Sequence, residues 1–196
     1  MYIPSHFDVN DQAKIVKFLH DNSFGEFITI VDGKPSATHA PFLFDDESGV
    51  LSFHIARANP QWQAIKSQQV LFIVNGPHGY ISPTWYAEAG VPTWNYQAIH
   101  FSGSATAFFE PKRLMALVNE LTASSEEKFP KPWQPDYPES MLRGIVGIEI
   151  AVTEIQCKFK LSQNRSSTDQ EQSIKALEAM GNHELARVMR KENQLE

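Results

Sequence analysis

The sequence predicts a mainly β fold with α additions: an antiparallel barrel with helices between and beside its strands and a helical hairpin at the C-terminus. Three observations predict it. Strand-type runs follow one another across hairpin turns. Helical periodicity is confined to a few short stretches. No Gly-x-Gly-x-x-Gly follows a strand, and helices do not alternate with strands as a doubly wound parallel sheet requires. The 196 residues are 42% apolar and 20% charged, an ordinary globular composition.

The chain opens extended, because Pro4 resists helix. Asn10 or Asp11 then caps a helix whose stripe is Ile15, Phe18 and Leu19, with Val16 beside it, and Gly25 is expected to end it. Phe27 to Val31 reads as a strand and Asp32-Gly33 as a hairpin turn. Ala37 to Phe44 returns, Asp45 to Gly49 turns again, and Val50 to Ile55 is the third strand. Pro60 suits the first turn of a short helix. Val70 to Val74 reads as a buried strand broken by Gly76-Pro77. From His78 to Tyr96 the density of Pro, Gly and aromatics suggests a structured loop around a short strand, and Ile99 to Phe109 the next strand. Pro111 starts a helix carrying Leu114, Leu117, Val118 and Leu121. Four prolines between Ser124 and Pro138 exclude regular structure there. Gly144 to Leu161 gives one long strand or two joined ones. Thr168 to Gln194 is charged and helical, broken at Gly181-Asn182. These readings divide the chain into a barrel domain, 1–165, and a helical extension, 166–196.

The net charge of −6 lowers the expectation of nucleic-acid binding, since phosphates need a basic patch. With Cys157 the sole cysteine, no intrachain disulfide can form, and no signal peptide is evident; both favour the cytoplasm. Cys157 lies in an alternating run and reads as a half-buried strand residue, not a nucleophile. No apolar run is long enough to span a bilayer. The seven histidines (6, 20, 39, 54, 78, 100 and 183) form no metal-ligand spacing, and no Gly-x-Ser-x-Gly supports a hydrolase.

Four segments concentrate polar chemistry. In Ala37-Thr-His-Ala-Pro41, Thr38 and His39 could meet a phosphate or the edge of a planar ring; equally, they are the wet face of a strand. In His54-Ile-Ala-Arg-Ala-Asn-Pro60 a strand end, the forked cation Arg57 and a helix start coincide, which suits an anion, though Arg57 could simply sit on a turn. Gly76-Pro-His-Gly-Tyr-Ile-Ser-Pro-Thr-Trp-Tyr86 and Val91-Pro-Thr-Trp-Asn-Tyr96 pair aromatics with polar groups. Trp94, Asn95 and Tyr96 could stack on or hydrogen-bond a flat ligand, or could form a packed loop or an oligomer interface. Lys160-Leu-Ser-Gln-Asn-Arg165 offers Gln163 and Asn164 as amide partners for a heterocycle, or ends a strand and nothing more.

Together with Met1-Tyr-Ile-Pro-Ser-His-Phe7, and apart from the Thr38 strand, these segments resemble, in order, the PaiB family of FMN-binding negative transcriptional regulators. The resemblance implies an FMN-binding split barrel related to pyridoxamine phosphate oxidase-like proteins, a homodimer with FMN at the subunit interface. Carried over by position, Thr38 and His39 would line the flavin, and His54, Ile55, Arg57 and Asn59 would surround its phosphate. Trp94, Asn95, Tyr96, Gln163 and Asn164 would reach the ring or ribityl chain, from the second subunit if the site is shared. Gly79 departs from the Ala-Tyr pair common in the family.

The expected function is an FMN-binding dimeric regulatory protein, a negative transcriptional regulator of the PaiB type. The alternative is a flavin-dependent oxidoreductase acting on a small molecule. A third reading is a dimer whose pocket has lost its flavin or takes another planar ligand such as haem. DNA, as a direct partner, would have to be read by the C-terminal helices. There Leu177 stands where a helix-turn-helix wants a small residue, and acidic side chains accompany the basic ones.

Overall fold

Asp32 and Gly33 both take positive φ, 50° and 75°, so the chain reverses in two residues. That turn joins β1 (Phe24–Val31) to β2 (Lys34–Asp45). The computed structural model describes residues 1–195. Four further strands follow: β3 (Val50–Ala56), β4 (Gln69–Ile81), β5 (Thr93–Phe108) and β6 (Ile145–Lys160). They are hydrogen-bonded in the closed order β1-β2-β3-β6-β5-β4. The fold is therefore the expected antiparallel split barrel with helical additions. β2 changes partner along its length: Lys34–Pro41 pair with β1, and Phe42–Asp45 pair with Val50–Phe53 of β3. Pro41, which has no N–H to give a ladder, lies at the switch.

The helices are α1 (Gln12–Asp21), α2 (Gln61–Ala64), α3 (Pro111–Glu126), α4 (Ser167–Ala179) and α5 (His183–Glu192). Asp11 Oδ1 accepts from the N–H groups of Ala13 and Lys14, capping α1. Ser166 and Asn182 cap α4 and α5 in the same way. Among the described residues no helix is long and apolar enough to cross a membrane.

The chain forms two compact units. One comprises Leu19–Val74 and His100–Ile155. Its core is a chain of rings: Phe27 on Phe53, Phe53 on Phe72, Phe72 on Phe42, with centroids 4.9–5.2 Å apart. Alternation along β1, β3 and β4 turns these rings to one side. A second cluster packs Leu114, Leu117 and Leu121, spaced at helical intervals on α3, against Phe108 and Leu142. The other unit comprises Met1–Phe18, Asn75–Ile99 and Gln156–Glu196. It buries Phe7, Ile15, Phe18, Phe159, Ile174, Leu177, Leu185 and Met189.

Four boundaries differ from the sequence reading. α1 ends at Asp21, and Gly25 lies inside β1, where a Cβ would sit 2.5 Å from Ile73 O; the glycine permits close approach of β1 to β4. β4 runs through Gly76-Pro77 to Ile81, and Gly76 makes room for the Phe18 ring, 2.6 Å from where its Cβ would be. β5 begins at Thr93, so residues 82–92 alone stand outside strands in the aromatic stretch, with Ser82 capping the 3₁₀ turn Pro83–Trp85. α3 continues past Ser124 to Glu126. β6 takes the single-strand form that the sequence reading allowed.

Candidate functional site

The end of β3 delivers Arg57. Its main-chain N–H donates to Gly144 O at 2.8 Å, extending the β3–β6 ladder, and its carbonyl accepts from Trp62 Nε1 at 3.0 Å. The guanidinium lies 4.6 Å from the centre of the Phe109 ring, which meets the Trp62 indole edge-on at 5.2 Å. Arg57 and Phe109 line a cleft of about 400 Å³ together with Pro111, Leu114, Glu139, Ser140, Leu142 and Arg143. Two arginines against one glutamate give the cleft a net positive lining, which suits an anion with several oxygens. Arg143 was not singled out from sequence: it follows a proline-rich stretch, and only the pairing of Ala56 with Ile145 brings it beside Arg57.

His54 and Ile55 lie on the same strand. Ile55 is buried and pairs with Val146 of β6. His54 is half-buried and its Nδ1 has no partner. Burial holds its pKa below the usual imidazole range, favouring the neutral ring. Thr38 and Asn59 are brought together, Asn59 Nδ2 donating to Thr38 Oγ1 at 2.8 Å, and both bond the fully buried Gln61. His39 is exposed, 3.8 Å from Glu26 and stacked with Phe24 at 6.2 Å.

The remaining sequence-predicted residues belong to the other unit. Trp94 is 55% exposed and meets Tyr80 edge-on at 6.2 Å; its carbonyl accepts from Lys160 Nζ at 2.7 Å. Burial, with Lys158 and Arg165 near, pushes the Lys160 pKa down. Lys158 Nζ stands 5.4 Å from the centre of the Tyr96 ring. Asn95 is 1% exposed and donates to Ser162 Oγ at 2.8 Å and to Met189 Sδ at 3.3 Å. Gln163 folds back on its own strand, donating to Phe159 O at 2.6 Å and accepting from Leu161 N at 2.7 Å. Asn164 is exposed.

The same unit holds a clasp around α4. Asp169, 1% exposed, accepts from Ala87 N at 2.8 Å and faces Arg165 at 3.9 Å. Arg165 lies 4.2 Å from the centre of the Tyr86 ring. Cys157 is buried, its thiol pushed up to about 12 by desolvation and by Asp8 and Glu192, so it stays protonated. Among the described residues no group of three or more His, Cys, Asp or Glu could hold a metal ion.

Residues 1–154 match the family model described as "Putative FMN-binding domain". The chain is 42% identical, over 91% of its length and 89% of the relative's, to the protease synthase and sporulation protein PAI 2 of Bacillus subtilis. Two solved structures share the fold at low identity. The flavocytochrome Anf3 of Azotobacter vinelandii has a TM-score of 0.63 at 14% identity, covering 81% of this chain and 72% of its own. The FAD and heme binding protein of Mycobacterium smegmatis has a TM-score of 0.61 at 12% identity, covering 84% and 78%. The donor set fits a flavin mononucleotide: a cleft with two arginines for a phosphate, and a buried imidazole nitrogen still lacking a partner. The chain belongs to the PaiB-type FMN-binding family, and FMN is its cofactor.

Proposed function

We propose that this protein is a homodimeric FMN-binding regulator of the PaiB type, a negative transcriptional regulator in the cytoplasm with the flavin between two copies. The similarity to the Bacillus subtilis relative, 42% identical over 91% of this chain, carries the reading. Arg57, with His54 and Asn59 nearby, takes the phosphate end. Trp94, Tyr96 and the 163–164 turn of a second copy take the ring end, with Thr38 and His39 on the strand between. The half-exposed Trp94 and Tyr80 suit a surface that a second copy covers. When bound, FMN supplies a redox-active planar ring. The chain's part is to hold the phosphate by charge and to keep water from the ring.

Two cations of the C-terminal helix pair are engaged by carboxylates of the same pair. Arg190 pairs with Glu178 at 2.7 Å and Lys175 with Glu171 at 3.9 Å. Regulation through the dimer therefore fits the pair better than a bare recognition helix. Arg57→Ala should weaken FMN at least tenfold, since a charge-assisted contact is worth about 1.5–3 kcal/mol, and leave riboflavin nearly unchanged. Equal loss for both ligands would remove Arg57 from the phosphate. The midpoint of dimer dissociation should shift with added FMN. Turnover with a reduced nicotinamide, without salt-dependent retention of operator DNA, would replace the regulator by the oxidoreductase.

A further inference from the structure

Gln61, at the start of α2, is fully buried, and no reading of the sequence gave it a part in the site. Its Nε2 donates to Phe27 O on β1 at 3.3 Å, to Thr29 Oγ1 at 3.1 Å and to Ser36 O on β2 at 3.1 Å. Two main-chain carbonyls on that side admit only the NH₂ end of the amide, so its orientation is settled. The Oε1 end therefore points at Thr38 and Asn59. It accepts the Thr38 hydroxyl and, at 3.2 Å, Asn59 Nδ2. Asn59 Nδ2 also donates to Thr38 Oγ1 at 2.8 Å, and Asn59 Oδ1 accepts the Gln61 main-chain N–H at 3.0 Å.

Thr38 has one O–H, given to Gln61, so it keeps no donor for a phosphate oxygen, which accepts only. The Asn59 amide is turned into the cluster, its Nδ2 on the adjacent oxygens of Thr38 and Gln61. Beside them Arg57 keeps its guanidinium on the face of Phe109, at the cleft.

We propose that Gln61 is the positioning residue of the phosphate end of the flavin site, with Thr38 and Asn59 as its struts and Arg57 as the side chain that touches the phosphate. This rests on the assignment of Arg57 to the phosphate. The amide sits against the paired stretch of β1 and β2 where Phe27 faces Thr38 and Thr29 faces Ser36, and it ties the 57–61 turn to both strands. Without it the turn, and the guanidinium it aims, would lose their fixed register on the barrel.

The test measures FMN and riboflavin affinity, by flavin fluorescence quenching, in full-length Arg57→Ala, Gln61→Met and Thr38→Val proteins. Gln61→Met keeps the length and removes every hydrogen bond of the side chain. It should reduce the preference for FMN over riboflavin about tenfold, as loss of one positioned contact worth about 1.4 kcal/mol would. Thr38→Val should reduce the same ratio by a smaller factor. If Gln61→Met does not fold, Thr38→Val carries the test alone. A reduced ratio in Arg57→Ala with an unchanged ratio in the folded strut variants overturns the positioning role and leaves the phosphate assignment standing. A Thr38→Val protein that loses FMN and riboflavin equally makes Thr38 a direct flavin contact and likewise overturns it. An unchanged ratio in Arg57→Ala brings down the assignment, and the proposal with it.

Discussion

Removing the Asp169 carboxylate should undo the grip of α4 on the 82–90 segment. In Asp169→Ala the Ala87 N–H loses its acceptor at 2.8 Å, although Ala87 itself is exposed and water can reach its side of the bond. A hydrogen bond to a charged group contributes about 1.5–3 kcal/mol, and solvent at the Ala87 side keeps this one toward the low end. Arg165 loses its anion as well, but the pair is 3.9 Å apart, the guanidinium is 23% exposed, and the Tyr86 ring remains beneath it. Its share is therefore about 1 kcal/mol, well below the 3–5 kcal/mol of a fully buried pair. The sum is about 3 kcal/mol, which in a chain of this size lowers Tm by about 6–12 °C. Asp169→Asn keeps an oxygen for Ala87 and loses only the charge, so it should cost about 1 kcal/mol. Urea unfolding of the three proteins separates these values, and limited proteolysis should cut the 82–92 segment faster in the alanine variant. An alanine variant within 0.5 kcal/mol of the parent, or an asparagine variant as damaged as the alanine one, would refute the reasoning.

Gly79→Ala places a Cβ 2.7 Å from Asn182 Nδ2 and 2.9 Å from Leu185 Cδ2, so it should disturb the cap of α5 and cost about 2 kcal/mol by urea unfolding. Cys157, buried and with its thiol at about 12, should resist iodoacetamide at pH 8 in the folded protein and react at once in urea, as read by mass spectrometry. His54 and His100 are both held below the ordinary imidazole value by burial. The unfolded chain then binds more protons below pH 6.5, so stability should be full above that pH and fall as the medium is acidified. His54→Gln should flatten the fall between pH 7 and 5.5, measured as the urea midpoint; an unchanged slope would show that His54 titrates normally.

What could be read from sequence was what local chemistry decides. Asp32-Gly33 had to turn, because both residues tolerate positive φ between two apolar runs. The leucines of α3 announced their face by spacing alone. Gly25 and Gly76 misled for the opposite reason: each is glycine because something distant in sequence, Ile73 O or the Phe18 ring, lies where its Cβ would be. The same limit applied at the candidate site. Arg57 stood out as a cation at a strand end. Gln61 and Arg143 did not, since their surroundings come from β1, β2 and the β3–β6 ladder and not from their neighbours in sequence. Asn95 and Gln163 looked like free amides, and nothing local revealed the Ser162 hydroxyl and the Phe159 carbonyl that occupy them.

The strand order has a consequence for the time course of folding. β1, β2 and β3 are joined by tight turns and can pair as soon as they are made. β3 then waits for β6, whose Ala151 pairs with Val50, so a ribosome must add most of the remaining chain before that edge is covered. During synthesis the apolar edge of β3 is the most exposed ladder in the nascent protein, and a chaperone that shields strand edges would meet this chain there first.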